Sequence, residues 1–277
     1  MLIDTHAHVN FNAFKDDGEE ILRRCLENEM QVINVGSQFS TSKRAVEYAH
    51  KFHKGVWAAV GLHPVHIKKG KFVHQDENET KETEVTANGE RFSFEKYLTL
   101  AKDEKTVAIG EVGLDYHHFE PGDDIIELKK MQKDDLIGAI ELANHLKKPI
   151  IIHCWDAYED LLEILDGNPV IKKGVIHSFI GGYKTAQKFI GLGYKIGLNG
   201  IITYSESYDR LIREIGLEKI VIETDCPYLT PKPLEKGTRN EPLFVKNVAQ
   251  KIADVLGVDI SEVEEKTTKN AKETFGI

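Results

Sequence analysis

Eight short runs rich in β-branched residues, separated by longer stretches of helical periodicity, constrain this chain more than any other feature of it. The runs are LIDTHAHV, VINVG, VWAAVGLH, TVAIGEVGLD, PIIIHC, GVIHSF, YKIGLNG and IVIETD, and they read as buried strands. Helical segments among them include Asp17 to Asn28, Thr41 to His50, Asp123 to Lys147 and Glu241 to Leu256. A closing helix is predicted from near Ser261, where SEVE has the form of a capping box. Eight strands, each followed by a helix, is the count of an α/β chain forming a single (β/α)8 TIM barrel over residues 1–277. The competing architecture is an open doubly wound sheet, which gathers its chemistry at one switch point. Here nearly every strand ends in a polar candidate instead.

One segment breaks the rhythm. Residues 68–94 are polar and acidic and read as an insertion after the third strand. Asn88-Gly89, between ETEVTA and ERFSF, predicts a hairpin turn there. Following a strand end, the insertion is expected on the active face, as a lid, a substrate wall or a solvated decoration.

Composition narrows the function classes. Hydrophobic residues make up 41% and charged residues 29% of the chain, as in a globular protein with a large core. No apolar run approaches the roughly 20 residues that cross a bilayer, and MLIDTHAHVN carries none of the marks of a signal peptide. Cys25, Cys154 and Cys226 are too few and too scattered for a disulfide framework, which predicts a cytoplasmic protein; without a bilayer-crossing run no membrane is expected, and no obligate protein partner is evident. The net charge of −9 argues against gripping duplex DNA through a basic stripe. Any nucleic-acid chemistry must concentrate positive charge at the site itself, and bound metal would supply it.

The strand ends carry the chemistry. In Asp4-Thr5-His6-Ala7-His8, residues two apart share a strand face, so His6 and His8 are expected to project together into the barrel. Alone, His-x-His is a weak signal. However, strand three ends in His63 and His66, strand four carries Glu111, and strands five, six and eight end at His153, His177 and Asp225. Crowding imidazoles and carboxylates in one interior is costly unless cations organise them.

With these residues in view, the chain resembles the TatD family of metal-dependent deoxyribonucleases, among the amidohydrolase-like barrels. The matching segments are DTHAHVN, GLHP, IGEVGLDY, PIIIHCWDAYED, GVIHSFIGG, IGLNGIITY, IETDCPYLTP, GTRNEP and VEEKTTKNAKETF. They span nearly everything outside residues 68–94. The resemblance implies two divalent metal ions, magnesium by family habit, with zinc or manganese compatible with imidazole ligands. It implies His6, His8 and Asp225 around one ion, His153 and His177 around the other, and Glu111 bridging them. It also implies DNA as substrate, attacked by metal-activated water, with Asp225 orienting the water and Glu111 holding both ions.

Further candidates surround this set. Asp4 and Glu223 share strand parity with His6 and Asp225 and are expected to orient imidazoles. His63 and His66 are candidates for phosphate or leaving-group contact, although Val65 separates His66 from the proline where the family usually has adjacent residues. Arg239 is a candidate phosphate contact or a surface ion pair, and Asn199 a hydrogen-bond donor to substrate. Trp155 stands near where the family commonly carries an arginine, and either stacks on a base or packs on the following helix. The leading expectation is an exonuclease acting on single-stranded or frayed DNA. The alternative is a metal-dependent ester or amide hydrolase such as a D-aminoacyl-tRNA deacylase.

Overall fold

A computed structural model describes residues 1–74 and 83–277, with residues 71–74 and 83–88 described by backbone alone. Eight parallel strands form one sheet: β1 (Leu2–Ala7), β2 (Met30–Val35), β3 (Val56–Val60), β6 (Thr106–Asp115), β7 (Ile150–Trp155), β8 (Gly174–Ile176), β9 (Lys195–Leu198) and β10 (Ile220–Ile222). The missing numbers are an antiparallel hairpin, β4 (Lys69–His74) with β5 (Thr83–Asn88). Helices α1 (Gly18–Glu27), α2 (Phe39–His50), α3 (Phe94–Ala101), α4 (Ile125–Leu146), α5 (Tyr158–Gly167), α6 (Tyr183–Gly191), α7 (Ser207–Ile215), α8 (Val245–Leu256) and α9 (Ile260–Phe275) alternate with the parallel strands. The fold is a (β/α)8 TIM barrel.

Two apolar layers hold it together. Ile3, Ile33, Val35, Ala59, Ala108, Ile151, Val175 and Val221 fill the barrel interior. Their neighbours in sequence, such as Ile150, Ile152, Ile176 and Ile222, face the helices in the larger cluster. Burial on both faces is why the strand sequences are nearly continuous in Val and Ile. The helices contribute one stripe each: α4 buries Gln132, Leu136, Ala139, Ile140 and Ala143, a spacing of three and four residues. Ala271 and Phe275 of α9 join the interior cluster, so the last helix covers the N-terminal end of the barrel.

The barrel closes between β1 and β10, at the edge of the mouth formed by the C-terminal strand ends. The His8 N–H donates to Cys226 O (2.9 Å) and the Asp225 N–H to His6 O (2.8 Å). Asp4 fastens the same seam: its carboxylate accepts from the Thr224 N–H (3.0 Å), the Thr224 hydroxyl (2.6 Å) and the His6 N–H (3.2 Å). Closure and site assembly therefore share one set of bonds.

Two expectations are corrected here. Asn88-Gly89 does not turn a hairpin between ETEVTA and ERFSF. Asn88 pairs with Lys69 and the Gly89 N–H donates to Lys68 O (2.9 Å), so the dipeptide closes the base of the β4–β5 hairpin and returns the chain to the barrel. The lid or wall expected of the insertion falls mainly on residues 75–82, outside the described residues. Likewise, Ser261 does not cap α9. Asp259 is the cap, accepting from the Ser261 N–H at 2.8 Å, because its carboxylate reaches the first free amides of the turn. Among the described residues, no helix is long and apolar enough to cross a membrane.

Candidate metal centre

Glu111 is the hub of the mouth. Its Oε2 faces His6 Nε2 at 3.5 Å and His8 Nε2 at 3.9 Å. Its Oε1 faces His177 Nε2 at 2.9 Å, His153 Nδ1 at 3.2 Å and His63 Nε2 at 3.5 Å. Asp225 Oδ1 lies 3.2 Å from His8 Nε2 and 3.6 Å from His6 Nε2, and those two nitrogens are 3.2 Å apart. Four ligand atoms about 2.0–2.1 Å from a shared ion would stand roughly 3.3 Å from each other. The spacing around His6, His8, Glu111 and Asp225 fits that requirement.

Strand chemistry explains how these groups converge. On most strands the ligand simply continues the inward face: Ile151 leads to His153, Val175 to His177, and Val221 to Glu223 and Asp225. β1 behaves differently. Ile3 lies in the barrel interior, so strict alternation would turn His6 outwards; the pairing with β2 shifts register between Asp4 and Ala7, and both imidazoles reach Glu111. Gly61 clears space for the hub, since a Cβ there would stand 2.6 Å from the Glu111 carbonyl oxygen. Asp225 is held at φ 58°, a left-handed conformation that costs a non-glycine residue roughly 1 kcal/mol or more and is typical of functional positions.

The outer ring nitrogens show which atoms are left for cations. His8 Nδ1 donates to Val35 O at 2.8 Å, His177 Nδ1 bonds Glu223 Oε1 at 3.1 Å, and His153 Nε2 bonds Asp115 Oδ2 at 3.0 Å. Each leaves the inner nitrogen pointing at the hub, the arrangement found behind metal-bound histidines. His6 is the exception, its Nδ1 buried with no hydrogen-bond partner among the described residues. Asp4 does not orient the His6 ring, contrary to expectation, because its oxygens are committed to the backbone and to Thr224.

The grouping also differs from the one implied by family resemblance. His6, His8 and Glu111 form one set, His6, His177 and Asp225 a second, and His63, Glu111 and His153 a third. His177 thus faces both sides of the hub, its ring stacked 3.7 Å from that of His6. The donor set of imidazole and carboxylate, presented from a rigid barrel, suits divalent cations.

Charge is balanced by protons where cations would sit. Burial pushes Glu111 up, but His63, His177 and His6 outweigh it and hold the carboxyl well below the usual range. Burial likewise opposes the charge on His153, yet its bonds to Asp115 and Glu111 raise it to about 9. Burial, followed by the adjacent His177, keeps His6 low. Because His153 gains its proton on folding, it stabilises the metal-free fold fully below about pH 6.5, and that contribution is lost as pH rises through about 9. Cation binding at neutral pH is therefore expected to release protons and to tighten as pH rises. Calorimetric titration in buffers of different ionisation enthalpy would detect this; uptake without proton release would contradict it.

The remaining candidates scatter. His63 keeps its place at the mouth, and its Nδ1 accepts from the Val65 N–H at 3.2 Å, so a neutral ring carries its hydrogen on Nε2. That atom is a donor, suited to a phosphate oxygen more than to a cation. His66 turns away to Ser37 Oγ at 3.3 Å and is buried. Burial pushes it down to about 4, so it is a neutral core histidine and not an anion contact. The unfolded chain takes up that proton first as pH falls, so roughly 3 kcal/mol of stability present above pH 6.5 should be lost by about pH 4. Urea unfolding of His66→Leu should show a correspondingly flatter dependence.

Of the two readings of Arg239, the structure takes the ion pair. It forms a two-pronged ion pair with Asp17 (3.1 and 2.5 Å), adds Glu241 (3.1 Å) and Ala13 O (2.8 Å), and lies over the Phe14 ring. Its guanidinium is committed to the α1 side of the barrel and not to phosphate. Asn199 donates to Ser178 Oγ (2.8 Å) and accepts from the Ile201 N–H (3.1 Å), which employs it in shaping its own loop. Trp155 does not join the apolar packing between the barrel and the helices among the described residues. It stacks on His117 instead.

Two residues escaped the sequence reading. Asp115 holds His153 from behind and binds His118 Nδ1 at 2.8 Å through the same oxygen. Gln132 on α4 locks the Asp115 backbone in both directions, at 2.8 and 2.9 Å. A signal existed for each. Asp115 shares parity with Glu111 on one strand, and Gln132 is the one polar residue on the buried stripe of α4.

A sequence model described as TatD related DNase matches residues 3–276. The chain belongs to the TatD family. Among TatD-family relatives it is 34% identical to the "Uncharacterized metal-dependent hydrolase YabD" of Bacillus subtilis, with all of both chains covered. It is 30% identical to the "Putative deoxyribonuclease TATDN3" of Mus musculus, covering 99% of this chain and 88% of the other. Of solved structures, YJJV, a TatD homolog from Escherichia coli K12, superposes with a TM-score of 0.83 at 27% identity, covering 100% of this chain and 98% of that one.

Proposed function

We propose that this TatD-family chain, a metal-dependent hydrolase, is a deoxyribonuclease that removes nucleotides from single-stranded or frayed DNA ends, using two divalent ions, of which magnesium is the first candidate. The observation that carries the reading is the graded exposure of the ligands. His6, His177, His8 and Glu111 have side chains 0–4% exposed, whereas His153, His63 and Asp225 reach 12%, 13% and 16%. Structural metal sites are closed on all sides by protein, and catalytic ones keep an open position. Here the open side is ringed by one carboxylate and two imidazoles at the barrel mouth, where barrel chemistry occurs.

When bound, divalent cations would supply Lewis acidity towards a phosphoryl oxygen and make water nucleophilic near neutral pH. His6, His8, Glu111, His153, His177 and Asp225 are the residues that would hold them. Burial raises Asp225, but His8, His177 and His6 outweigh it and keep the carboxylate charged, so its exposed edge can orient water by accepting a hydrogen bond from it. His63 presents Nε2–H to a non-bridging phosphate oxygen. Glu223 and Asp115 keep the rings of His177 and His153 aimed inwards. The acidic balance of the chain favours brief engagement of ends over binding along duplex. The three cysteines are all buried and free, which supports a cytoplasmic location.

The test is turnover by metal-stripped protein with each divalent ion restored in turn, on end-labelled single-stranded DNA beside a D-aminoacyl-tRNA. Stepwise nucleotide release is the expected result. Ester hydrolysis without any DNA cleavage would replace the phosphodiester reading with the acyl one.

A further inference from the structure

The rim of the mouth carries an aromatic stack that lies outside both apolar clusters. Trp155 ends β7 two residues beyond His153, about 7 Å along the strand. Its indole lies face to face with the His117 imidazole, centroids 4.2 Å apart and planes 10° apart. His118 meets the same indole edge-on at 5.2 Å. A tryptophan ordinarily anchors a core, yet Trp155 is part-exposed and packs in neither apolar cluster. His117 is 48% exposed although the indole covers one of its faces, so the exposed area is largely its outer face and edge. Its Nδ1 is tethered to Asp156 Oδ2 at 3.0 Å, which fixes the ring plane from the rim side. His118 is tied through Asp115 to His153, so stack and hub share one rigid connection.

We propose that the outer face of His117, backed by Trp155, is a stacking platform for one unpaired base of the strand whose phosphate occupies the hub. The proposal rests on the nuclease reading and deepens it, naming an unpaired nucleobase as the recognised feature. Inside a duplex both faces of a base are covered by its stacked neighbours, so the platform favours single-stranded or frayed strands over duplex interiors and tolerates any sequence, because every base has a π-face. A planar imidazole over an indole extends the stack outward by one ring without requiring a net positive charge from the chain.

The chain has two tryptophans, Trp57 and Trp155, so Trp57→Phe leaves one fluorophore, at the platform. The divalent-loaded variant would be titrated with a phosphorothioate hexathymidylate and with the same backbone bearing tetrahydrofuran in place of every base. The base-bearing strand should quench Trp155 and bind about tenfold more tightly or better, the ordinary worth of one stacked base. In the same background, His117→Ala should erase that preference and His117→Phe should retain it. Equal binding of the two strands, no quenching by the base-bearing strand, or a preference surviving His117→Ala would each overturn the platform. Cleavage of unmodified DNA is followed separately. Base-dependent quenching without cleavage would leave the platform and remove the nuclease, and cleavage with base-blind binding would do the reverse.

Discussion

Glu111→Gln is expected to lower turnover by at least about 10³-fold, equivalent to roughly 4 kcal/mol of lost transition-state stabilisation, and to strip most of the bound metal. The argument is geometric. Glu111 presents Oε2 to His6 and His8 and Oε1 to His63, His153 and His177, so each oxygen serves a separate cluster. An amide of the same shape loses the charge and offers a donor to one side. The barrel should survive, because His177 keeps Glu223 and His153 keeps Asp115. Glu223→Gln, by contrast, touches no inner nitrogen and acts through the His177 ring, so a loss of about 10- to 100-fold in metal affinity is expected. Metal analysis, steady-state turnover and melting temperature measured on both variants separate the two roles. Wild-type metal content and activity in Glu111→Gln would sink the hub.

Gly113→Ala should be among the most destabilising small changes available to the chain. Gly113 pairs with His153 across β6 and β7, and a Cβ there would overlap the His153 carbonyl oxygen. Its φ of +151° adds strain for any side chain. Neither side can yield, since both are strand backbone, and the same two strands carry Glu111, Asp115 and His153. Overpacking and backbone strain together predict about 3–5 kcal/mol. For a chain of this size that is a fall of roughly 5–9 °C in melting temperature. An unchanged thermal transition would mean that β6 and β7 are not packed as closely as described.

The acidic slope from His66 and the proton release from His153 differ from these in kind. One is a property of the core and persists when metal is present; the other disappears once cations replace the protons. Measuring both in metal-loaded and metal-free protein distinguishes burial from ligation.

The architecture was legible because it rests on short-range periodicity. The residues of PIIIHC must alternate between interior and helix layer whatever the rest of the chain does, and eight such runs leave few alternatives to a barrel. The residue types at the strand ends were legible for the same reason, as strand direction brings those ends to one mouth. What the sequence alone could not determine depends on contacts between residues more than 200 positions apart, such as Asp4 with Thr224 and Ala13 with Arg239. The shift of register in β1 decides which way His6 faces. Asp17 decides that Arg239 is an ion pair, and Ser37 that His66 turns inwards. The tertiary arrangement also assigns each ring nitrogen its partner, recruits Asp115 and Gln132 behind His153, and stacks His117 on Trp155. Periodicity determines which face of its own element a side chain occupies; only the closed barrel determines what stands opposite.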